Sequence, residues 1–287
     1  MTPGPGTQLF ISIAQRPGTF GATIYNELFR RHGIDAVYIP RTAPASAAQL
    51  VDAIHALGIT GCSVSAPLKS AVIPLLDDVD DRARSADSVN TIVRKNDALH
   101  GYSTDIAGVR EALRLHMPTD DIRTALIFGA GGVAGAAVVA LRELNIADIS
   151  IDARRADAAT TLANRFDLTV HQSTPGRAYD LVINATPAGR DANDAPALFD
   201  HATRARTVFD MTVAPTPTAL HMHAESSDAT VITGVTMSAC QLREQARLYV
   251  GQTFEFDEIL SIIHTHYLSS TPPAPGLLAP ARPASRI

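Results

Sequence analysis

One short stretch near the middle of the chain limits the possible fold more than any other. Residues Thr124–Phe128 form a largely apolar run, typical of a parallel strand buried on both faces, and they lead directly into Gly129-Ala130-Gly131-Gly132. Helical spacing of apolar residues follows at 136–144. A strand, a tight glycine turn and a helix in this order form the phosphate-binding unit of dinucleotide-binding α/β domains. The sequence therefore predicts a Rossmann-like domain that binds a dinucleotide.

The residues of the glycine turn have distinct physical roles in this prediction. Gly129 permits the tight turn, Gly131 lets the backbone approach a pyrophosphate, and Ala134 keeps the helix close to the strand. The pyrophosphate then meets unpaired backbone N–H groups at the positive end of the helix dipole. The turn is therefore expected to bind the diphosphate of a cofactor.

The residues after the next strand decide which cofactor this turn would hold. An acidic residue there binds a ribose 2′-hydroxyl, whereas an arginine accepts a 2′-phosphate. The sequence offers both, because Asp152 ends the predicted strand and Arg154 and Arg155 follow it. Two guanidinium groups can hold a phosphate through bidentate, charge-assisted hydrogen bonds. We therefore favour NADP, and Asp152 supports NAD as the alternative.

Strand and helix signals also alternate before the glycine turn. They predict a mostly parallel sheet with an antiparallel hairpin at its edge, turning at Asn96-Asp97. Ser46 is expected to cap a helix, and Gly33 and Gly58 are expected to end helices. The predicted elements are strands at 9–13, 36–39 and 61–65, helices at 20–31 and 46–57, and hairpin strands at 90–94 and 99–102.

The same alternation continues after the glycine turn, so we predict an α/β protein of two domains. An amino-terminal α/β domain with a mostly parallel sheet covers residues 1–105 and is completed by helices from about 237–268. The Rossmann-like nucleotide domain covers residues 106–236, with strands at 149–152, 181–184, 208–210 and 231–233. Residues 269–287 carry five prolines without apolar periodicity and are predicted to be a disordered tail.

Composition excludes several other classes of protein. The chain has 287 residues, of which 46% are hydrophobic and 18% charged, so it can bury a full core and is not disordered. Its formal net charge is −5 without a basic run, so we expect no nucleic-acid partner. Two distant cysteines and the spacing of the histidines and aspartates predict no disulfide framework and no metal site. Since neither a leader-like nor a membrane-length apolar segment occurs, we expect a soluble, cytoplasmic protein without a membrane partner.

Polar side chains follow several predicted strands of the first domain. Lys69 comes just after the strand at 61–65, and short hydroxyl, amide and carboxylate side chains occupy residues 85–91 and 103–105. The strand ends of an open α/β sheet converge on one crevice. These side chains could therefore surround a small polyhydroxylated ligand.

Together with the glycine turn, these segments resemble the shikimate dehydrogenase family. The resemblance covers about residues 8–267, and the start of the chain, from Gln8-Leu9-Phe10 through 16–21, is similar to the divergent shikimate-dehydrogenase-like branch. It is specific because the glycine turn alone is common, whereas the ordered set is not. The motifs that carry it lie at residues 62–69, 88–91, 103–105, 129–132, 184–189, 210–211 and 234–241.

The resemblance implies a substrate domain that faces an NADP domain across a cleft. It implies an oxidoreductase that interconverts shikimate, or a close cyclic hydroxy acid, and its 3-dehydro form in the route to aromatic amino acids. Lys69 would be the general acid and base, and Asp105 would pair with it and with the substrate hydroxyls. The further residues expected to contact substrate are Thr19, Ser65, Asn90 and Gln241.

The resemblance also implies a set of cofactor contacts and a small-molecule partner. The pyrophosphate would lie on Gly129, Ala130, Gly131, Gly132 and Val133, and the 2′-phosphate on Arg154 and Arg155. The nicotinamide half would contact Thr186, Met211 and Gly234. The expected assembly is a monomer or a homodimer.

Three departures from the family pattern leave alternative functions for the chain. Thr19-Phe20-Gly21 replaces paired serines that grip the substrate carboxylate, Ser63 replaces an asparagine, and Val213 replaces a tyrosine. Lost polar contacts of this kind typically cost about 1–3 kcal/mol each and can select another ligand. The alternatives are an NAD-dependent quinate/shikimate dehydrogenase and a non-catalytic NADP-binding regulator.

Overall fold

The chain folds into two compact units, each built around its own sheet. The computed structural model describes residues 2–116, 121–171, 177–189 and 196–267. The first unit comprises Met1–Ala107 together with Gln241–Tyr267, and the second comprises Gly108–Cys240. The predicted α/β class with two domains is confirmed. The predicted tail at 269–287 lies outside the described residues.

The sheet of the first unit contains both parallel and antiparallel pairs. The strand order is β2-β1-β3-β5-β6-β4, with β1 parallel to β2 and β3, and with β5 antiparallel to β3 and β6. The strands are β1 (Gln8–Ala14), β2 (Ala36–Thr42), β3 (Gly61–Val64), β4 (Asp78–Val79), β5 (Thr91–Lys95) and β6 (Ala98–Tyr102).

The hairpin of β5 and β6 is present, but its predicted place at the edge of the sheet is wrong. The short strand β4 pairs in parallel with β6 and forms the edge instead. Only two residues long and rich in aspartate on its amino-terminal side, β4 has no apolar alternation that could announce a strand. The turn itself is as predicted, since Asn96 and Asp97 both adopt positive φ, 49° and 66°.

Helices of the first unit bury apolar stripes against this sheet. In α1 (Phe20–Arg31) the buried residues include Ile24, Tyr25, Leu28 and Phe29, spaced as one helical face requires. The Ser46 hydroxyl accepts a hydrogen bond from the Gln49 N–H at 3.3 Å and caps α2 as predicted. The remaining helices are α2 (Ala47–Ala56), α3 (Leu68–Ala71), α4 (Asp81–Ala86) and α5 (Thr104–His116), whose last residues belong to the second unit.

Two carboxy-terminal helices complete the first unit. They are α10 (Gly234–Val250), which belongs to this unit from Gln241 onward, and α11 (Phe256–His266). Helix α10 comes so close to β3 that a Cβ atom on Gly61 would lie 2.5 Å from the Tyr249 ring and 2.9 Å from Phe10. Glycine at position 61 therefore allows the helix to lie directly on the strand that leads to Lys69.

The sheet of the second unit is entirely parallel over the described residues. Its order is β12-β11-β10-β7-β8-β9. After β7, the strands β8 and β9 are added on one side, and β10, β11 and β12 on the other, so the strand order reverses beside β7. The strands are β7 (Thr124–Phe128), β8 (Asp148–Asp152), β9 (Thr169–Val170), β10 (Leu181–Asn184), β11 (Thr207–Asp210) and β12 (Thr230–Thr233). In such sheets a ligand binds outside the carboxyl ends of the strands at the point of reversal.

One helix beside this sheet begins earlier than the sequence predicted. The first, α6 (Gly132–Glu143), begins within the glycine turn, four residues before the predicted start at 136. Three of its first four residues are glycine or alanine, which carry little apolar periodicity. The others are α7 (Ala156–Phe166), α8 (Pro196–Ala202) and α9 (Ala219–Ser226). No helix among the described residues is long and apolar enough to cross a membrane.

Candidate active site

A lysine, a carboxylate and an amide meet at the carboxyl end of β3 in the first unit. Lys69 Nζ donates to Asp105 Oδ2 at 2.6 Å, and Asn90 Nδ2 donates to Asp105 Oδ1 at 2.7 Å. The side chains of Lys69 and Asp105 are 17% and 8% exposed. Partial burial strengthens this ion pair, and leaves the lysine accessible to a ligand. The structure thus brings together three of the residues that the sequence predicted to act on substrate.

The fold places these three groups through short elements that end at the same place. Lys69 lies in the single turn of α3, directly after β3, and Asp105 lies in the first turn of α5. Asn90 immediately precedes β5, which pairs with β3. Its Oδ1 atom accepts the Thr104 N–H at 2.8 Å and so joins the start of α5 to the sheet.

Gln241 lies next to this group, whereas Thr19 and Ser65 stand apart from it. Gln241 Nε2 approaches the Thr104 hydroxyl at 3.4 Å. Thr19 is exposed at the start of α1 and its hydroxyl caps no backbone N–H. Ser65 is exposed after β3, where its N–H donates to the Ile13 carbonyl at 3.0 Å. The roles of these three residues in substrate binding remain predictions.

A cluster of buried hydroxyl groups, which the sequence did not predict, lies beside Gln245 of α10. Ser63 Oγ receives a hydrogen bond from Tyr38 OH at 2.7 Å, lies 3.0 Å from Tyr249 OH, and donates to Gln245 Oε1 at 3.0 Å. One hydroxyl supports one donated and two accepted hydrogen bonds. The protein therefore fills the full capacity of Ser63, and its hydroxyl cannot replace the ligand contact expected of an asparagine.

A groove of about 770 Å³ opens at the carboxyl end of β7 in the second unit. Its position is where a sheet of this topology binds a dinucleotide. Among the predicted cofactor residues it is lined by Gly129, Ala130, Gly131, Arg154, Arg155 and Thr186. Asp152 lines it as well, together with residues of α8. Backbone amides and two guanidinium groups can donate hydrogen bonds to an anionic dinucleotide, and the carboxylate can accept them from its hydroxyl groups.

The conformation of the glycine turn explains its composition. Gly129 has a φ of +119°, and a Cβ atom there would lie 2.9 Å from the Ala185 carbonyl oxygen. At Gly131 a Cβ atom would meet nothing within 4 Å, so the backbone there faces open space. Ala134 is fully buried in α6. The first position thus requires glycine for the fold, whereas the second leaves room for a ligand to approach the backbone.

The two arginines after β8 are exposed on the wall of the groove. Arg155 makes an ion pair with Asp157, with Nη2 and Oδ2 2.6 Å apart and both side chains 70% exposed. The Arg155 hydrogen bond lowers the pKa of Asp157. An exposed pair of this kind contributes little to stability and can open for a stronger anion. Arg155 therefore remains able to take a phosphate.

The other predicted cofactor residues do not line the groove. Gly132 and Val133 form the first turn of α6. Gly234 begins α10, and a Cβ atom there would collide with the backbone carbonyls of Met211 and Thr212. Gly234 and Met211 are thus neighbours after β12 and β11, and their contact with a nicotinamide remains a prediction.

Two histidines lie behind the groove and make the second unit sensitive to acid. His171 Nε2 and His201 Nε2 are 3.2 Å apart, and His171 Nδ1 is 3.0 Å from Tyr179 OH. Burial lowers the pKa of His201, and the positive charge of a protonated His171 lowers it further. Only one of the facing nitrogens can carry the shared proton without repulsion.

This arrangement predicts a loss of stability in mild acid. An unfolded histidine has a pKa of about 6.5, so below that pH the unfolded chain binds more protons at His201 than the folded chain. The unfolding free energy should therefore decline as pH falls below about 6.5 and should be independent of this group above it. Urea titrations from pH 5 to pH 8 should show a shallower decline for His201→Gln. The matched control is His266→Gln, on the exposed end of α11, and an equal change in both variants would contradict the prediction.

Comparisons with known proteins can now be set beside this geometry. A family profile described as the shikimate dehydrogenase substrate binding domain matches residues 19–92. A shikimate dehydrogenase (NADP(+)) of Maridesulfovibrio salexigens is 34% identical over 239 residues, which cover 81% of this chain and 87% of that protein. The chain belongs to the shikimate dehydrogenase family.

Two further similarities concern a curated relative and a solved structure. A shikimate dehydrogenase-like protein of Haemophilus influenzae is 31% identical over 253 residues, covering 86% of this chain and 92% of that protein. The ligand-free structure of a 5-ketofructose reductase from Gluconobacter sp. matches with a TM-score of 0.79 and 26% identity, covering 91% of this chain and 99% of that one. The predicted resemblance to the family and its divergent branch is thereby confirmed.

Proposed function

We propose that the chain is an NADP-dependent oxidoreductase that interconverts shikimate, or a close cyclic hydroxy acid, and its 3-dehydro form. The observation that carries the proposal is the half-buried pair of Lys69 and Asp105, with Asn90 bound to the second carboxylate oxygen. The predominance of NADP-dependent shikimate dehydrogenases among the relatives supports the reaction and the cofactor.

The residues of the first unit account for the proton in this reaction. As a neutral amine, Lys69 Nζ takes the proton of the substrate hydroxyl during oxidation, and as an ammonium it returns that proton during reduction. Asp105 accepts hydrogen bonds on both oxygens, so it holds the ammonium group in place and compensates its charge. Asn90 prevents Asp105 from turning, since it occupies the oxygen that the lysine does not use.

The groove of the second unit would hold NADP, which supplies or accepts the hydride when it is bound. Backbone N–H groups at Gly131 and in the first turn of α6 would bind the diphosphate. Arg154 and Arg155 would take the 2′-phosphate through charge-assisted hydrogen bonds, and Asp152 would face the ribose.

A substrate without a carboxylate is a second candidate, favoured by the residues around Gly21. Position 21 lacks a hydroxyl, and a Cβ atom there would lie 3.6 Å from the Tyr38 hydroxyl, which already donates to Ser63. Thr19 is exposed and Ser63 is saturated by the protein. A solved structure similar to this chain is described as a 5-ketofructose reductase, whose named substrate is a sugar ketone.

Initial rates of nicotinamide reduction test the proposal. Shikimate and quinate are each offered with NADP and with NAD, and 5-ketofructose is offered for reduction with NADPH. A rate with shikimate and NADP that disappears in Lys69→Ala is the expected result. A rate with NAD and quinate would support the NAD-dependent alternative, and a rate with 5-ketofructose alone the sugar reductase. Tight NADP binding without any turnover would contradict the enzyme and support a regulator.

A further inference from the structure

Helix α10 places two glutamine side chains, one turn apart, against two buried threonine hydroxyls. Gln245 Nε2 donates to Thr91 Oγ1 at 2.7 Å, and Gln241 Nε2 approaches Thr104 Oγ1 at 3.4 Å. Both threonine hydroxyls in turn donate to Asn90 Oδ1, at 2.9 Å from Thr91 and 3.0 Å from Thr104. Two parallel bridges therefore join α10 to the amide that holds Asp105.

The far side of Gln245 fixes which way its amide faces. Its Oε1 atom accepts hydrogen bonds from Tyr25 OH at 2.9 Å and from Ser63 Oγ at 3.0 Å. Burial raises the pKa of Tyr25, so this phenol keeps its proton and acts as a donor. The single Tyr25 proton is shared with the Leu242 carbonyl, 3.2 Å away, so the hydrogen bond from Ser63 is the one that turns the NH2 group of Gln245 toward Thr91.

The direction of each hydrogen bond then follows along the bridge. The Thr91 hydroxyl accepts from Gln245, so its own proton points to Asn90 Oδ1. Asn90, whose Oδ1 also accepts the Thr104 N–H at 2.8 Å, consequently turns its NH2 group to Asp105 Oδ1 and leaves Oδ2 to Lys69. Gln245, Thr91 and Asn90 are only 1%, 0% and 3% exposed, so bulk water cannot provide these hydrogen bonds instead.

We propose that Gln245 is a positioning residue for the Lys69–Asp105 pair, acting through Thr91 and Asn90. Together with the Thr104 N–H, which donates to the same Oδ1 at 2.8 Å, it holds the NH2 group of Asn90 toward Asp105 and thereby keeps one carboxylate oxygen of Asp105 reserved for the lysine. The inference deepens the proposed function, since it rests on Lys69 and Asp105 carrying the reaction. It assigns a functional role to a residue that lies outside contact with Lys69.

A set of matched variants tests this role by kcat. Thr91→Val removes the hydroxyl at nearly constant volume, and Gln245→Met removes the amide; each should lower kcat about tenfold, the effect of one well-placed hydrogen bond. Thr91→Ser, which keeps the hydroxyl, should restore most of the activity lost in Thr91→Val. Tyr25→Phe is the control, because it deletes an equally buried hydroxyl while Ser63 still faces Oε1. It should keep kcat within about twofold.

The double variant Thr91→Val/Gln245→Met separates positioning from packing. Two residues of one bridge should show no further loss of kcat in the double variant, whereas two independent packing defects should multiply. The dissociation constant for NADP, measured by fluorescence titration, should stay unchanged in every variant. Multiplying losses, or equal losses in Thr91→Val and Thr91→Ser, would overturn the proposal.

A crystal structure of Thr91→Val keeps this test independent of the proposed reaction. If the wild-type protein shows no Lys69-dependent turnover, the proposed function fails, and the bridge is judged by geometry alone. The expected result is an Asn90 amide displaced toward Thr104, whose N–H still holds Oδ1, and a longer distance between Lys69 Nζ and Asp105 Oδ2. An unchanged arrangement of Asn90, Asp105 and Lys69 would overturn the role of Gln245.

Discussion

Lys69→Met should lower kcat for the dehydrogenase reaction by about 10³-fold, within the range for removal of a general acid and base. Methionine keeps most of the side-chain volume but carries no transferable proton. The dissociation constant for NADP should change by less than about twofold, since the groove lies in the second unit and excludes position 69. Steady-state rates and cofactor fluorescence titration measure the two quantities.

The sequence offers a well-matched control for this substitution. The chain contains only two lysines, and the second, Lys95, is exposed in β5 and contacts the Tyr102 hydroxyl at 3.2 Å. Lys95→Met removes the same charge and should leave kcat unchanged. Equal rates for Lys69→Met and the wild type would eliminate the proposed acid and base.

The double substitution Arg154→Ala/Arg155→Ala should raise the KM for NADP by about 100-fold. Each guanidinium is expected to contribute charge-assisted hydrogen bonds to the 2′-phosphate, and bonds to charged groups are worth about 1.5–3 kcal/mol. The KM for NAD, which lacks this phosphate, should change little. The ratio of kcat/KM for the two cofactors would therefore move toward NAD.

Arg206→Ala controls for the loss of positive charge from the same unit. Arg206 precedes β11, so it lies at the amino-terminal end of the strands, opposite the end at which the groove opens. This variant should leave the KM for both cofactors unchanged. A double variant that retained its preference for NADP would contradict the assignment of the 2′-phosphate site.

Local signals explain which parts of the fold the sequence could predict. The run into Gly129 required a strand and a sharp turn, and the structure shows a positive φ with a carbonyl oxygen against the glycine. Capping by Ser46 and the turn at Asn96-Asp97 depend on neighbouring residues only, and both are present. The position of the hairpin inside its sheet depends on β4, a distant two-residue strand without a pattern of its own.

The same difference between local and long-range signals applies to the candidate site. Lys69, Asn90 and Asp105 belong to short motifs that follow strands. The structure pairs Lys69 with Asp105 as the resemblance implied, and it adds a hydrogen bond from Asn90 to Asp105 that the resemblance did not give. Gln245 belongs to no such motif; in the apolar spacing of α10 it is only a polar interruption. What distinguishes Gln245 is that it is a polar side chain only 1% exposed on an amphipathic helix. That burial becomes visible only when the covered face of the helix is known.

The discontinuity of the first unit has a consequence for the order in which the protein folds as it leaves the ribosome. Residues 108–240 form a continuous unit, which can complete its sheet before the last part of the chain is synthesised. The first unit must wait for residues 241–267. Before α10 forms, the Tyr249 ring cannot pack on Gly61, and Gln245 cannot donate its hydrogen bond to Thr91. We therefore expect the groove beside Gly129 to mature early in biosynthesis, and the hydrogen-bonded group around Lys69 to be the last part of the protein to form.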